Sequence, residues 1–226
     1  MAKNTGAVTV EYIQHMGDDE MIAKAARVST GNDKESQEKI KGLIGYLARE
    51  DHTSPFEHTA LTVRVEAPIF IAREVMRHRT FSYNELSARY AEMEQVAYTP
   101  GVDRPLKNAG SGAHPKLEVT GYEDTELWTD VVLTQHYKAY DAAFEAYREM
   151  LDAGVATEVA RSVLPVGTYT SWYMTGNLLN WFRFLELRDG RKGHPQVEIT
   201  WLAEEVWKII QKLWPVACEA WLNKVK

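Results

Sequence analysis

The sequence predicts an α+β domain with a helix-rich second half, on three observations. Within 59–68, apolar Leu61, Val63 and Val65 alternate with polar Thr62, Arg64 and Glu66. Apolar residues recur three and four apart over 133–151 and again over 199–213. No internal repeat, low-complexity tract or apolar run of the ~20 residues needed for a membrane span is present. One domain over 1–226 is the economical organisation at this length.

The elements follow in order. VTVEYI (8–13) alternates and reads as a strand. Asp18 and Asp19 are placed to cap a short helix through MIAKAARVS. Over 33–50, Ile40, Leu43, Ile44 and Leu47 make one apolar helical face, and Gly42 and Gly45 suit close packing there. HTSPFEH breaks that helix, because Pro55 pushes Ser54 away from helical angles. TALTVRVEAP is a half-buried strand with Leu61, Val63 and Val65 inward. Pro68 opens a helix, PIFIAREVMRHR, with Ile69, Ala72 and Met76 as its stripe. Periodicity then fails, so FSYNELSARYAEM reads as a loop with a helical turn, followed by a short strand at VAYTP. Residues 101–121, rich in Gly, Pro, Ser and Asn, form a long loop.

A long helix capped near Asp124 carries Leu133, Tyr137, Tyr140, Phe144, Tyr147 and Leu151, and ends at Gly154. TEVARSVLP is a short helix stopped before Pro165, and VGTYTSWYMTG a strand. A helix opens at Asn177, a turn lies at 190–193, and the last long helix runs to Trp214 with Ile199, Leu202, Val206, Ile209 and Leu213 in register.

Composition narrows the function classes. Lys and Arg number 26 against 32 Asp and Glu, a net charge of −6, which disfavours a general nucleic-acid binder. The single cysteine, Cys218, excludes an internal disulfide framework and a Cys-rich metal site, and fits a reducing cytoplasm. The N-terminal stretch has no apolar run of signal-peptide length, so a cytoplasmic protein away from the membrane is expected.

Polar information is densest at 73–90, where Arg73, Arg77, Arg79 and Arg89 surround His78 in an acidic chain. Arg73 and Arg77 are one helical step apart. Guanidinium forks match phosphate or carboxylate oxygens. Two readings stand level on composition: an anion pocket, or an ion-paired surface in which Glu74 and Glu85 neutralise two arginines.

The order of the residues distinguishes them. Arg77-His78-Arg79, seven intervening residues, then Ser87-Ala88-Arg89-Tyr90, with Ser82, Asn84 and Glu85 between, resembles the signature of the flavin-dependent thymidylate synthases. Ala26-Arg27-Val28-Ser29, the 52–58 segment His-Thr-Ser-Pro-Phe-Glu-His, Ala160–Pro165 and the stretch from Leu187-Arg188 to Glu198 resemble further family segments in the same order. The 101–121 loop shows no match.

That resemblance implies a fold of an antiparallel sheet flanked by long helices, and a homotetramer with active sites shared between subunits. It implies methylation of dUMP to dTMP, with 5,10-methylenetetrahydrofolate as carbon donor, FAD as hydride source and NADPH as reductant. Carried over residue by residue, Arg77, His78, Arg79, Ser54, Glu85 and Asn177 contact FAD, with His52 and His194 as second-tier flavin or folate contacts. Glu74, Arg77, the segment Glu85, Leu86, Ser87, Ala88 and Arg89, together with Arg161, bind dUMP. Arg188 is the catalytic residue, at the pyrimidine edge. Leu179 and Arg183, on the Asn177 helix, stand at further FAD-contact positions but depart from the usual family residues, and Arg183 is able to reach a phosphate. Two extra residues fall in Asp189–Gly193, and Ala88 replaces a common glycine, which asks for a negative φ there.

A fixed positive charge suits a pyrimidine that must become electron-rich at C5, and arginine supplies it without losing its proton. Ser87 has no base placed by sequence to activate it, so a binding role is favoured. Cys218, in the apolar, helical segment LWPVACEAW, reads as a buried inert thiol, so no cysteine nucleophile is expected. His52 and His58 bracket Glu57 without the spacing of a helical zinc motif, and no metal is expected. The tryptophans and the Tyr137–Tyr147 stripe read as core, or for the stripe a subunit interface. Two other classes compete: a nucleotide- or nucleic-acid-binding module without redox chemistry, and a helical assembly protein whose arginines form a salt-bridged seam.

Overall fold

In a computed structural model, the residues described are 3–28, 31, 37–101, 104–108, 110–111, 117–118, 127–191 and 193–225. In chain order they form β1 (Lys3–Thr5), β2 (Thr9–Met16), α1 (Asp19–Arg27), α2 (Gln37–Arg49), β3 (Ala60–Pro68), α3 (Ile69–Val75), β4 (Ser82–Glu85), β5 (Val96–Tyr98), β6 (Lys107–Asn108) and β7 (Leu117–Glu118). Then come α4 (Thr134–Asp152), α5 (Thr157–Ala160), β8 (Tyr169–Asn177), α6 (Leu178–Arg188), α7 (Val197–Leu213) and α8 (Pro215–Val225). Short 3-10 turns at Ser54–His58 and Arg161–Val163 and a π-helical turn at Leu127–Leu133 complete the set. No helix among the described residues is long and apolar enough to cross a membrane.

The chain divides into two compact units. The first, residues 10–65, 76–84 and 173–226, is built on the antiparallel sheet, with strand order β2-β3-β8-β4. The alternation read at 59–68 is real: Leu61, Val63 and Val65 are fully buried. Against this sheet's core sit Trp181, Phe182 and Phe184 of α6 and Leu202, Val206 and Ile210 of α7, all without solvent exposure. Phe182 stacks on Trp221 of α8 at 4.7 Å between ring centroids, and Phe56 meets both rings edge-on. Ile199, Leu202 and Val206 of α7 are buried as their spacing predicts, and only toward the end of the helix does the face turn, with Ile210 buried rather than Ile209.

Both aspartates at 18–19 cap helices, but different ones. Asp18 accepts the Met21 N–H at 2.9 Å and starts α1. Asp19 instead accepts the Val216 and Ala217 N–H groups, both at 2.9 Å, and caps α8. Helix α8, which packs on α2, is the segment around Cys218 that the sequence reads as apolar and helical. Trp214 leaves the helix before Pro215 restarts it. Gly42 and Gly45 do not serve close packing: a Cβ at either position meets open space. The start of the 33–50 helix, at 33–36, lies outside the described residues.

The second unit, residues 1–9, 66–75 and 85–172, centres on α4. Tyr140, Phe144 and Tyr147 are its buried stripe, and Tyr137 is exposed. Phe144 and Tyr140 pack with Ala97 and Leu164, while Tyr147 packs with Met93 and Ala160. Gly154, at φ 81°, ends the helix region with its N–H on the Leu151 carbonyl, as its position predicts. Gly167 is required sterically, since a Cβ there would lie 2.0 Å from the Tyr140 hydroxyl. β1 pairs in parallel with β5, and β6 with β7 antiparallel. Asp124 and much of the 101–121 loop lie outside the described residues.

Two local expectations at 69–85 are corrected. Helix α3 stops at Val75 and buries Ile71, Ala72 and Val75, so Arg77 lies past its end and shares no helical face with Arg73. Residues 82–85 are a strand, β4, rather than loop, at an edge of the sheet where no buried face imposes alternation.

Candidate active site

In the α4 unit the chain leaving β4 is pinned to β8. The Leu86 N–H donates to the Ser171 carbonyl at 2.8 Å, and the buried Thr170 hydroxyl donates to Glu85 Oε1 at 2.9 Å. The chain then turns at Ser87, whose carbonyl accepts the Tyr90 and Ala91 N–H groups at 3.0 and 3.1 Å. This turn faces the end of α5 across a cavity of about 300 Å³, lined by Ile69, Met93, Leu164 and Thr170 together with Glu85, Leu86, Ser87, Ala88 and Arg161. Met93 is fixed by its N–H donating to the Tyr147 hydroxyl at 3.1 Å. Five residues assigned to substrate by resemblance therefore share one wall-to-wall space. Ala88 needs no strain, since Asp51, at φ 58°, is the one non-glycine residue with positive φ among those described.

Arg161 carries no ion pair among the described residues, although it lines the cavity. Arg89 is held instead by a carboxylate that the sequence reading did not assign: its Nε–H donates to Glu158 Oε2 at 2.8 Å, and its guanidinium lies 5.3 Å over the Tyr90 ring. No local pattern signals it, because Glu158 lies 69 residues from Arg89 in the chain. The ion-paired reading of the motif is thus corrected at Glu85, which takes the Thr170 hydroxyl and no arginine. Glu74 is half-buried on α3 and does not line the cavity.

The sheet unit holds the other half of the assigned residues. Beyond α3 the chain makes an open turn in which Arg77 and Arg79 are exposed and His78 points inward. His78 Nε2 accepts the Arg188 Nε–H at 2.9 Å, which fixes the neutral ring as the Nδ1–H tautomer. Its ring meets Phe184 edge-on at 4.8 Å, and the His78 carbonyl accepts the Tyr83 hydroxyl at 2.9 Å. Burial, and secondarily the Arg188 charge, push His78 from 6.5 down to about 4. Arg188 is half-buried in the last turn of α6.

Asn177 caps α6 by accepting the Asn180 N–H at 2.9 Å, and the Asn180 side-chain amide donates to the Thr80 carbonyl at 3.1 Å. The helix start is thereby tied to the 77–80 turn. Gly176 makes this approach possible, since a Cβ there would lie 2.4 Å from the Phe81 ring. Arg183 is exposed, whereas Leu179 is 2 % exposed and packs in the core, leaving only its backbone for a ligand. Arg77, Arg79 and Arg183 have no ion-pair partner among the described residues. Ser54, His52 and His194 are exposed and form no hydrogen bond with the turn; His52 packs edge-on against Tyr46 at 5.7 Å.

Cys218 is buried, and burial, reinforced by Asp19, pushes its thiol up to about 12. No group of three metal-ligating side chains occurs among the described residues.

A family model described as thymidylate synthase complementing protein (Thy1) matches residues 11–216. The chain is 43% identical over 225 residues to a flavin-dependent thymidylate synthase of Streptomyces avermitilis, covering 94% of this chain and 90% of the relative. It is 38% identical over 214 residues to that of Thermotoga neapolitana, covering 95% and 90%. Among solved structures, the UMP/dUMP methylase PolB of Streptomyces cacaoi bound with 5-Br UMP superposes with a TM-score of 0.89 at 39% identity, covering 99% of this chain and 97% of that one. The same methylase bound with 5-Br dUMP gives 0.88 at 40% identity, covering 98% and 97%.

Proposed function

The chain belongs to the flavin-dependent thymidylate synthase (Thy1) family, and on that premise we propose that it methylates dUMP to dTMP with 5,10-methylenetetrahydrofolate, FAD and NADPH. The observation that carries this reading is the convergence of Glu85, Leu86, Ser87, Ala88 and Arg161 on one cavity.

Each residue type there has a task. The Arg161 guanidinium and the Ser87 turn receive the nucleotide phosphate, Arg161 having no ion pair among the described residues. Arg89 adds a second cation beside them. Ile69, Met93 and Leu164 keep water from the base. Arg188 belongs at the pyrimidine edge, where its permanent charge stabilises the negative charge that the ring must carry before C5 attacks the methylene. Glu85 is placed by Thr170 for a hydrogen bond to substrate or cofactor.

The donor set of the sheet unit fits FAD: three exposed guanidiniums, Arg77, Arg79 and Arg183, suit a diphosphate, and Asn177 and Asn180 fix the neighbouring helix start. Ser54, His78, the Leu179 backbone and His194 complete the proposed flavin contacts, and Glu74 the nucleotide contacts. When bound, the flavin supplies the hydride. The Cys218 thiol stays protonated and buried, which leaves the chemistry without an enzyme cysteine nucleophile. In this reading the whole chain works as one domain of a cytoplasmic homotetramer, with active sites shared between subunits.

Absorbance and tritium release test it. Purified protein should show oxidised-flavin bands or acquire them with added FAD. It should release tritium from C5-labelled dUMP when methylenetetrahydrofolate and NADPH are supplied. UMP belongs in the same assay, because the solved relatives are UMP/dUMP methylases. A colourless protein with no affinity for FAD would reject the reading in favour of a simple binding module.

A further inference from the structure

The carboxylate of Glu158 presents a physical puzzle. It stands three residues before the cavity-lining Arg161 and is paired with Arg89, although a negative charge contributes nothing favourable to binding a phosphate. Its ion pair with Arg89 leaves both side chains about half exposed, 55% for Arg89 and 49% for Glu158, so the pair contributes little to folding. The arrangement around it is nonetheless specific. The Thr157 hydroxyl donates to the Arg89 carbonyl at 2.6 Å, and the Arg89 N–H donates to Ser87 Oγ at 3.3 Å. Two consecutive residues of α5 therefore hold Arg89 at its main chain and at its guanidinium. The same element runs directly into the turn that begins with Arg161.

We propose that Glu158 is a positioning residue for nucleotide binding: it holds the guanidinium of Arg89, the residue that follows the cavity-lining Ala88, so that this cation and Arg161 grip the phosphate together. Glu158 engages the Nε–H, and Nη1 contacts the Tyr90 hydroxyl at 3.3 Å, which limits the rotation of a long, otherwise mobile side chain. The gain is preorganisation. A guanidinium already oriented loses less entropy on binding, and that saving exceeds the repulsion of a carboxylate exposed to water. Glu158 touches neither the substrate nor the reacting atoms.

This inference rests on the dUMP reading above. The test uses flavin-loaded, full-length protein, with dUMP binding measured by calorimetry alongside steady-state kinetics. Glu158→Gln is expected to raise the Kd and KM for dUMP about fivefold, with kcat changed by less than about twofold. Flavin content and thermal midpoint should be unchanged, and inhibition by deoxyuridine, which lacks the phosphate, should not move. Glu158→Asp should recover part of the loss. The double variant with Arg89→Ala should bind no more weakly than Arg89→Ala alone, because both changes remove one interaction. Unchanged or tighter dUMP binding in Glu158→Gln, or additive effects in the double variant, would overturn the proposal. Wild-type protein that fails to bind dUMP would instead defeat the functional reading on which it stands.

Discussion

The Nε–H of Arg188 donates to Nε2 of His78 at 2.9 Å, so the helix that ends at Arg188 is fastened to the middle residue of the Arg77–Arg79 turn. A neutral imidazole orients the guanidinium while adding no counter-charge of its own. The outward arginines of the turn stay directed to solvent, where an anionic cofactor can reach them.

The first prediction is a pH dependence. In the unfolded chain His78 titrates near 6.5; in the folded protein it is held down to about 4. Between those values the unfolded state binds more protons, so this site's stabilising contribution is complete above about 6.5 and lost as pH falls through about 4. Urea midpoints measured from pH 7 to pH 4 should fall more steeply for wild type than for His78→Gln. Parallel curves would remove His78 as the cause.

Arg188→Ala should fold and retain flavin but lose turnover by roughly 10²–10³-fold, the usual cost of removing one preorganised donor from a developing charge. Single-turnover tritium release measures it. A kcat near that of wild type would show that the pyrimidine is not handled by Arg188.

Cys218→Ser should keep its turnover, because the thiol is buried and protonated. Its thermal midpoint should drop modestly as a hydroxyl enters an apolar site. Abolished turnover in a folded variant would restore a thiolate mechanism.

Asp19→Ala removes two hydrogen bonds at the start of α8 and should cost about 1–2 kcal/mol of stability, as other helix caps do. Amide hydrogen exchange over 215–221 should accelerate more than elsewhere. Uniform exchange across the chain would show that the cap does not govern that helix.

What the sequence made legible follows from burial. Strand β3 alternates because one face is fully buried, and α4 and α6 declare themselves through apolar stripes and an Asn177 cap. β4 was hidden because a short edge strand has little buried face to pattern. α8 was legible as the apolar, helical segment around Cys218, set off from α7 by the break at Trp214 and Pro215. The order of the motif, matched by resemblance, singled out Glu85, Leu86, Ser87, Ala88 and Arg161, which line one cavity. Pairings across sequence distance, Arg89 with Glu158 and Arg188 with His78, carry no local pattern and emerge only from the fold.

Titration of dUMP into flavin-loaded protein, followed by the flavin absorbance bands, tests the central claim most directly. If the cavity walled by Ser87 and Arg161 takes the nucleotide and presents its base to the flavin, the bands should shift saturably. Arg161→Ala should then need at least about tenfold more dUMP, the loss of one charged contact to the phosphate. Flavin bands that do not move at saturating dUMP, or that move identically in Arg161→Ala, would contradict it.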